Sequence, residues 1–470
     1  PAGESSPRHR TDHNNREVHG MHFPLAPPDT SLENLQDFFA KGRMGGHLRN
    51  YVMATQNDDG RPDFVANAFG MALKAETANW RGFQFGVSGI LTFNLASNDL
   101  YEKVALPGGG EAVESLSRFE LQLFDLEEPD NRFELDRIEE LFLRYHWKQS
   151  LFVLGRQDIN TPLMNPQDTR MKPYVFEGVW THIADLNKLE FNAGFFWRAS
   201  SRGTIEWHSI ERSIGTFSQG RALNGEPAEY RGNTSTDGVG VFGLRYEPIK
   251  NLKLKIWDYW IEDILNTAMA QLDYRRNLGA VDLISGGMYL NQVAAGNGGS
   301  DEVTERYDAP SQTTHLFGGR LGFATDRWSA TANLTHVTDD GRFVFPREWG
   351  REQFYTTTRN ARLDGLGDVT QYGPVLKYKP LGAEGPLSVN LHYVRTNAPD
   401  RENVALNKYG VGDRSQYNVD LRYHFSGLFQ GLRLRFLYIR ANSRDKPADL
   451  ERLTNRAGFN HYSLVANFLF

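Results

Sequence analysis

Cysteine is missing from this chain of 470 residues, which excludes disulfides, zinc sites built from thiolates and lipid attachment through an N-terminal cysteine. Long apolar runs are missing too. The mean hydropathy is −0.53, and no stretch approaches the roughly 18 apolar residues of a membrane-spanning helix. This argues against a helical membrane protein. An excess of positive charge is also missing. The net charge is −6, which argues against a nucleic-acid partner.

What the chain does have is alternation. Aromatic residues make up 12% of it and glycine occurs 45 times, and both suit strands and tight turns. Apolar and polar residues alternate with period two in eighteen segments: 46–56, 63–76, 82–95, 137–147, 150–159, 174–186, 188–200, 239–249, 252–263, 266–276, 281–293, 314–325, 328–338, 369–380, 387–397, 416–426, 431–441 and 461–470. Their typical length of roughly 11 residues is that of a tilted membrane-spanning strand.

This pattern predicts an all-β protein whose residues 46–470 form a transmembrane antiparallel up-and-down β-barrel of about 18 strands. A soluble propeller would instead need a shared repeat of roughly 40–50 residues, and the sequence shows none. Connection lengths agree with a barrel, because short links such as 186→188, 263→266 and 325→328 contrast with long ones such as 201–238. We expect short turns at one rim and long loops at the other.

The last segment, HYSLVANFLF, shows the alternation clearly. Tyr462, Leu464 and Phe468 share one parity, which we expect to face lipid, while His461 and Ser463 share the other. Every strand of a closed barrel needs two partners. We therefore expect this segment to pair with both 431–441 and 46–56, and to close the barrel.

Residues 1–45 differ from the rest. They are polar, contain prolines and lack periodicity, so they are predicted to form a flexible periplasmic extension. Leucines and phenylalanines at helical spacing predict a short helix in 31–42, with Ser31 as its N-cap. Any signal peptide is expected to have been removed already. A weak alternative gives this extension a copper or zinc site, made by the four imidazoles of His9, His13, His19 and His22.

If the apolar parity faces lipid, the polar parity lines the lumen, and that parity carries many basic residues. The predicted pore-lining ladder consists of Arg144, Arg245, Arg320, Lys377, Arg422, Arg433 and Arg435. Basic residues on separate strands of one lumen make a path for anions or carboxylates. Arginine suits this role because it stays charged and offers a bidentate fork. The alternative is that these charges only keep a wide pore wet and pair with neighbouring acids.

A barrel of this width needs a constriction, and two connecting segments could supply it. The first, 160–173, contains the candidates Asp168, Arg170 and Lys172. The second, 341–368, contains Arg347 and Arg351 among several arginines and aromatic residues. Either segment could equally be a solvated external loop.

Several stretches resemble a known family. GGHLRNYVM is similar to the first strand of OprD-like outer-membrane porins. The stretch GRQDINTPLMNPQDTRMKPYVFEGVWTHIADL resembles their short strand, Pro-rich inward loop and F-x-G strand, with Pro162, Pro173, Phe176 and Gly178 at the matching positions. KIWDYWIEDILNTAMAQLDY is similar to their hairpin with Glu-Asp-Ile at the turn, and a terminal Phe470 fits the outer-membrane assembly signal in general.

The resemblance implies a substrate-selective porin in the outer membrane of a Gram-negative bacterium, in contact with lipid and lipopolysaccharide. It implies a monomer or loose trimer, a narrow basic-laddered pore and passive uptake of small carboxylates. Arg170 falls in the matching constriction loop, and Arg422, Arg433 and Arg435 fall where the ladder lies. We expect no enzymatic activity, no nucleic-acid partner and no cofactor.

Two rival functions remain open from the sequence. An outer-membrane lipase or protease would need a Ser–His–Asp group at one height on neighbouring strands. His146, His392 and His424 are candidate bases, without a serine in a suggestive motif beside them. A structural or adhesive surface barrel would use the long loops. The acidic stretch 124–140 could also hold Ca²⁺ through its carboxylates.

Overall fold

The computed structural model describes residues 34–58, 61–101, 117–166, 170–443 and 458–470. The histidines considered for a metal site (His9, His13, His19 and His22) and the constriction candidate Asp168 lie outside these residues. In the described part of the chain, no group of three or more His, Asp or Glu side chains is arranged to hold a metal ion.

In the described part of the chain, nineteen strands form one antiparallel sheet. The strands are β1 (Arg43–Asn57), β2 (Phe64–Glu76), β3 (Phe83–Ser97), β4 (Leu135–Trp147), β5 (Ser150–Gln157), β6 (Val175–Leu186), β7 (Leu189–Ser200), β8 (His208–Ser209), β9 (Val239–Tyr246), β10 (Leu252–Ile261), β11 (Leu265–Asn277), β12 (Asp282–Ala294), β13 (Thr313–Ala324), β14 (Trp328–Val337), β15 (Val369–Tyr378), β16 (Leu387–Asn397), β17 (Arg414–His424), β18 (Leu432–Ser443) and β19 (Phe459–Leu469). All except the two-residue β8 form a closed barrel of 18 strands. Each barrel strand matches one predicted segment, so the predicted fold is confirmed.

Helix is scarce among the described residues. The helices are α1 (Leu35–Ala40), α2 (Arg118–Leu121) and α3 (Ile210–Ser213), with single 3₁₀ turns at Arg347–Trp349 and Gly427–Phe429. Within the described ranges, none is long and apolar enough to cross a lipid bilayer.

The two ends of the sheet close the barrel. β1 pairs with β19 from His47↔Leu469 to Asn57↔Phe459, and β19 pairs on its other side with β18. Both predicted pairings of the C-terminal segment are therefore confirmed. Closure leaves the barrel without an open sheet edge, which a bilayer would not tolerate.

Side chains alternate between the two faces of the barrel wall. On β19, Tyr462, Leu464 and Phe468 are 36%, 48% and 41% exposed, whereas His461 and Ser463 are 2% and 1% exposed. The exposed apolar set faces outward and the buried polar set faces the lumen, as the period of two requires. The apolar parity of this strand therefore lies on the outer surface, where lipid would be.

The two rims differ in their connections. One rim, called here the turn rim, contains the start of β1 and the end of β19. Its connections are 77–82, 148–149, 187–188, 247–251, 278–281, 325–327, 379–386 and 425–431. The loop rim has 58–63, 98–134, 158–174, 201–238, 262–264, 295–312, 338–368, 398–413 and 444–458. The short link 263→266 was expected among the short turns, and this was wrong. It is a tight turn on the loop rim, where Asp263 has φ of 56° and the Ile264 N–H donates to the Ile261 carbonyl.

Helix α1 lies against the turn rim. Its N-cap is Asn34, whose side chain accepts a hydrogen bond from the Asp37 N–H, so the expected cap at Ser31 was wrong. The Ala78 N–H donates to the Phe38 carbonyl at 2.9 Å, which fixes the helix to the β2–β3 turn. β1 then begins at Arg43, three residues before the expected start of the barrel.

Candidate functional site

The described residues of segment 158–174, which are 158–166 and 170–174, turn into the lumen instead of covering the rim. Tyr259 of β10 donates its hydroxyl to Thr161 at 2.9 Å, and Arg49 of β1 donates to the Arg170 carbonyl at 2.8 Å. Because β1 and β10 are the first and ninth strands of the 18-stranded barrel, they stand on opposite walls. The segment therefore crosses the lumen.

Segment 338–368 also enters the lumen. The Tyr355 hydroxyl donates to Asp273 of β11 at 3.0 Å, and Gln416 of β17 donates to the Arg359 carbonyl at 2.6 Å. Arg359 in turn donates to the Tyr51 hydroxyl of β1 at 3.1 Å. These contacts carry the segment along the inner wall from β11 to β1.

The two inward segments are bonded to each other. The Asn165 N–H donates to the Trp349 carbonyl at 3.0 Å, and its side-chain amide donates to the Arg351 carbonyl at 2.9 Å. The Gln353 N–H donates to the Pro162 carbonyl at 3.0 Å. They therefore form one unit that occupies the middle of the barrel.

An apolar core supports this unit from the loop rim. Trp349 is fully buried; its indole N–H donates to Ser213 at 2.9 Å, and its ring packs edge-on against Phe345 at 5.8 Å. The carboxylate of Glu348 accepts from the backbone N–H groups of Gly215 and Phe217. Loop 201–238 thus packs over segment 338–368 and holds it in place.

A third segment, around α2, is inserted against β1 and β19. Thr55 donates to Glu120 at 2.5 Å and lies 2.8 Å from Nδ1 of His461, while Nε2 of His461 lies 3.0 Å from Ser463. Burial raises the pKa of Glu120 to about 7. Sequence reasoning did not identify this Ser–His–Glu group, which bears on the alternative of an outer-membrane enzyme. Ser463 is only 1% exposed, so it offers no surface to a substrate.

A cavity of about 630 Å³ lies between the inward segments and the turn rim. Basic side chains outnumber acidic ones in its wall. The basic residues are Lys253, Lys255, Arg275, Arg320, Arg327, Arg351, Arg359, Lys377, Lys379, Arg422 and Arg435, and the acidic ones are Asp273, Asp326, Glu352 and Asp420. The cavity also includes turn residues such as Asn251 and Ala383, so it extends towards the turn rim.

The structure brings together four of the seven expected ladder residues. Arg320, Lys377, Arg422 and Arg435 line the cavity from β13, β15, β17 and β18. The other three, Arg144, Arg245 and Arg433, share the lumenal parity of their strands but do not line the cavity. Arg144 pairs with Glu76 at 3.5 Å and Arg245 with Glu190 at 3.2 Å.

The expected constriction residues have different surroundings. Arg351 lines the cavity. Arg170 is 2% exposed, and Lys172 is buried and donates to the Phe124 carbonyl at 2.6 Å, towards the α2 segment. Burial, followed by nearby Arg137, lowers the pKa of Lys172 to about 7.

Arg347 connects segment 338–368 to a neighbouring loop. It pairs with Asp364 of the same segment, and its guanidinium stacks over the Tyr409 ring at 3.8 Å. Burial acts against the ionised form of Asp364, but Arg347 and Arg362 outweigh it and hold the pKa of Asp364 below its usual range. The pair stays ionised and joins segment 338–368 to loop 398–413.

Sequence reasoning missed several lumenal charges, among them Asp273 and Arg137. On β11 the lumen-facing parity also contains buried Leu265 and Met269, which pack under the inward segments and blur the alternation. On β4 a register shift at Ser88/Gly89 leaves Glu139 and Glu140 both buried, and the parity reverses there. Arg137 then points inward and donates to carbonyls of the neighbouring loops.

Comparison with known proteins gives one family. The family described as outer membrane porin, OprD family, matches residues 140–457. A search of curated proteins finds no match.

Solved structures share the fold at low sequence identity. OpdK of Pseudomonas aeruginosa, in a structure with vanillate, is 17% identical with a TM-score of 0.68, covering 92% of this chain and 99% of that one. OccAB4 of Acinetobacter baumannii is 15% identical with a TM-score of 0.69, over 91% of this chain and 98% of that one. A BenF-like porin from Pseudomonas fluorescens Pf-5 is 15% identical with a TM-score of 0.69, over 92% and 99%.

Proposed function

The chain belongs to the OprD family of outer-membrane porins, and from that premise we propose that it favours small solutes that carry a negative charge or a carboxylate. A barrel of this family is a channel for small solutes in the outer membrane of a Gram-negative bacterium. The preference for anions is the further step. It rests on one observation, the predominance of basic side chains in the cavity below the inward segments.

The arrangement of these side chains supports the proposal physically. Arg320, Lys377, Arg422 and Arg435 project from separate strands, and Arg351 adds a guanidinium from the inward segment. An anion that leaves one of them meets another, so it can pass along the wall without being held at a single strong site. Arginine also offers two parallel donors to a carboxylate.

The same proposal includes the surroundings of the barrel. The residues before β1 are assigned to a periplasmic extension. The turn rim, where β1 begins, then lies in the periplasm and the loop rim outside the cell. The outer wall would contact lipid and lipopolysaccharide, and the barrel would act as a monomer or loose trimer. Segments 158–174 and 338–368 would form the constriction.

The test is the reversal potential of the purified protein in planar bilayers under a potassium chloride gradient. We expect a potential of the sign that indicates chloride permeation. Cation selectivity would overturn the anion preference while leaving the channel itself intact. Vanillate, present in the OpdK structure, is a suitable organic carboxylate for a second measurement of current block.

Charge-neutralising variants then test the wall itself. Lys377→Met and Arg351→Met remove cavity charges and should reduce the selectivity for chloride. Arg144→Met removes an equal charge from a lumenal position outside the cavity and should have a smaller effect. Equal effects from all three would mean that the cavity is not the selective region.

A further inference from the structure

One carboxylate of the cavity wall, that of Asp273, is surrounded by hydrogen-bond donors. Asp273 of β11 pairs with Arg320 of β13 at 2.8 Å and with Lys255 of β10 at 3.3 Å. It also accepts from the Gln271 amide at 2.8 Å and from the Tyr355 hydroxyl at 3.0 Å. Three strands and an inward segment thus supply the donors around this single side chain.

These donors are the ones a dissolved carboxylate would need. A guanidinium, an ammonium, an amide N–H and a phenol make charge-assisted or neutral hydrogen bonds to carboxylate oxygens. Burial, and then the charge of Asp273, raise the pKa of the Tyr355 phenol, so it remains a donor. The Arg320 guanidinium also lies 4.8 Å from the centre of the Tyr355 ring, which fixes both groups relative to each other.

The geometry points to a role for Asp273 as a resident competitor: its carboxylate occupies a carboxylate-binding subsite of the pore, and a permeating carboxylate takes its place on Arg320 and Lys255. This inference rests on the proposed anion preference and deepens it. Conduction requires a site that attracts an ion but releases it again. A tethered carboxylate in the same site weakens the hold on each passing solute and so speeds its release.

Two other carboxylates of the cavity wall are paired but differ from Asp273. Glu352, which pairs with Arg362 at 2.7 Å, is only 2% exposed, and Asp420 is held more tightly. Both of its oxygens accept from Arg435 at 2.8 Å, and Arg422, two residues further along its own strand, adds a contact at 2.7 Å. The Asp420 and Arg435 side chains are 9% and 10% exposed. Asp273, Arg320 and Lys255 are 14%, 23% and 26% exposed. The Asp273 group is therefore more accessible to solutes than the Asp420 group.

The experiment removes the Asp273 carboxylate and adds a dissolved carboxylate in its place. Asp273→Ala deletes the carboxylate, and acetate is then added to the chloride solution during bilayer recording. We expect the acetate concentration that halves the chloride current to be roughly tenfold lower than for the wild type, a change of about 1.4 kcal/mol in binding. Acetamide, which has the same shape without the charge, should block neither protein.

Matched variants distinguish the loss of the Asp273 carboxylate from a loss of charge elsewhere and from a loss of folding. Glu190→Ala removes a lumenal carboxylate that pairs with Arg245 at 3.2 Å outside the cavity, and should leave acetate block unchanged. Tyr355→Phe removes a single donor and should weaken the acetate block when combined with Asp273→Ala. If Asp273→Ala does not give the heat-resistant folded form on gels, Asp273→Asn is used, and increased selectivity for chloride is then expected.

The outcomes distinguish the two proposals. A cation-selective wild type overturns the proposed function. An anion-selective wild type with the same acetate block before and after the Asp273 substitution overturns only the competitor. Equal sensitisation by Glu190→Ala also overturns it, because the effect would then come from total charge and not from the subsite.

Discussion

The buried lysine Lys408 packs against aromatic rings of the neighbouring loops. The ammonium of Lys408 lies 4.3 Å from the centre of the Tyr230 ring and 4.5 Å from that of Tyr307, and the side chain is 1% exposed. Cation–π contacts of this kind favour the charged form, whereas burial opposes it. One lysine therefore joins loop 398–413 to loops 201–238 and 295–312.

Lys408 should make the stability of the packed loops depend on pH. Burial, with nearby Arg342, lowers its pKa from 10.5 to about 7. Between these values the unfolded chain binds a proton that the folded protein lacks, so the contribution of Lys408 to stability rises with pH. We expect the Tm of the wild type, relative to Lys408→Met, to increase by a few degrees between about pH 7 and about pH 9.

The measurement is thermal unfolding of the detergent-solubilised protein at the two pH values. Lys250→Met, which changes an exposed lysine in a turn, is the control and should show the same pH dependence as the wild type. A constant Tm difference between wild type and Lys408→Met would show that Lys408 is not the titrating group. Staying below about pH 10 avoids ionisation of ordinary tyrosines.

At the scale of elements, the strands were predictable because one face of each strand meets lipid and must be apolar. The resulting alternation of apolar and polar residues predicted all eighteen barrel strands. It also predicted that side chains such as Arg320 and Lys377 face the lumen. The path of segments 158–174 and 338–368 inside the barrel could not be predicted. It depends on contacts such as Arg359 with Tyr51, 308 residues apart, which leave no local periodicity.

Some glycines of the barrel face an aromatic ring on the neighbouring strand, where a larger side chain would not fit. Gly243 of β9 faces Trp257 of β10 in register, and a Cβ at Gly243 would lie 2.6 Å from Cε3 of that indole. Gly243→Val should therefore force the two strands apart, at a cost of roughly 1–3 kcal/mol for overpacking. We expect a smaller fraction of heat-resistant folded barrel on gels after refolding into detergent.

The matched control is Gly287→Val on β12. Gly287 lies on the outer face opposite Gly319, and a Cβ there would meet nothing within 4 Å. Valine has a higher strand propensity than glycine, so this variant should fold at least as well as the wild type. Equal loss of folding in both variants would mean that the Trp257 contact is not the cause.

The whole molecule combines two structures with separate sources of stability. The wall is held by backbone hydrogen bonds between consecutive strands and by closure at β1–β19. The inward segments are held by side chains, such as Trp349 and Tyr355, and by each other. We infer that the inner unit can be altered without loss of the barrel.

Replacing residues 344–365 by Asn-Gly tests this division. Phe343 and Leu366 already pair antiparallel, with the Phe343 N–H donating to the Leu366 carbonyl at 3.0 Å. An Asn-Gly type I′ turn can connect such a pair, so the ends need not move. The change removes Arg351, Tyr355 and Arg359 from the lumen. Single-channel conductance should rise several-fold and anion selectivity should fall, because a wider pore brings fewer solutes close to the wall.

The barrel itself should survive this replacement, because its interstrand hydrogen bonds do not involve residues 344–365. Heat-dependent mobility on gels and circular dichroism in detergent check this. An unchanged conductance in a folded variant would show that segment 338–368 does not limit the pore. A variant that fails to form the heat-resistant barrel would show instead that the wall depends on its contents, and the division between wall and inner unit would be wrong.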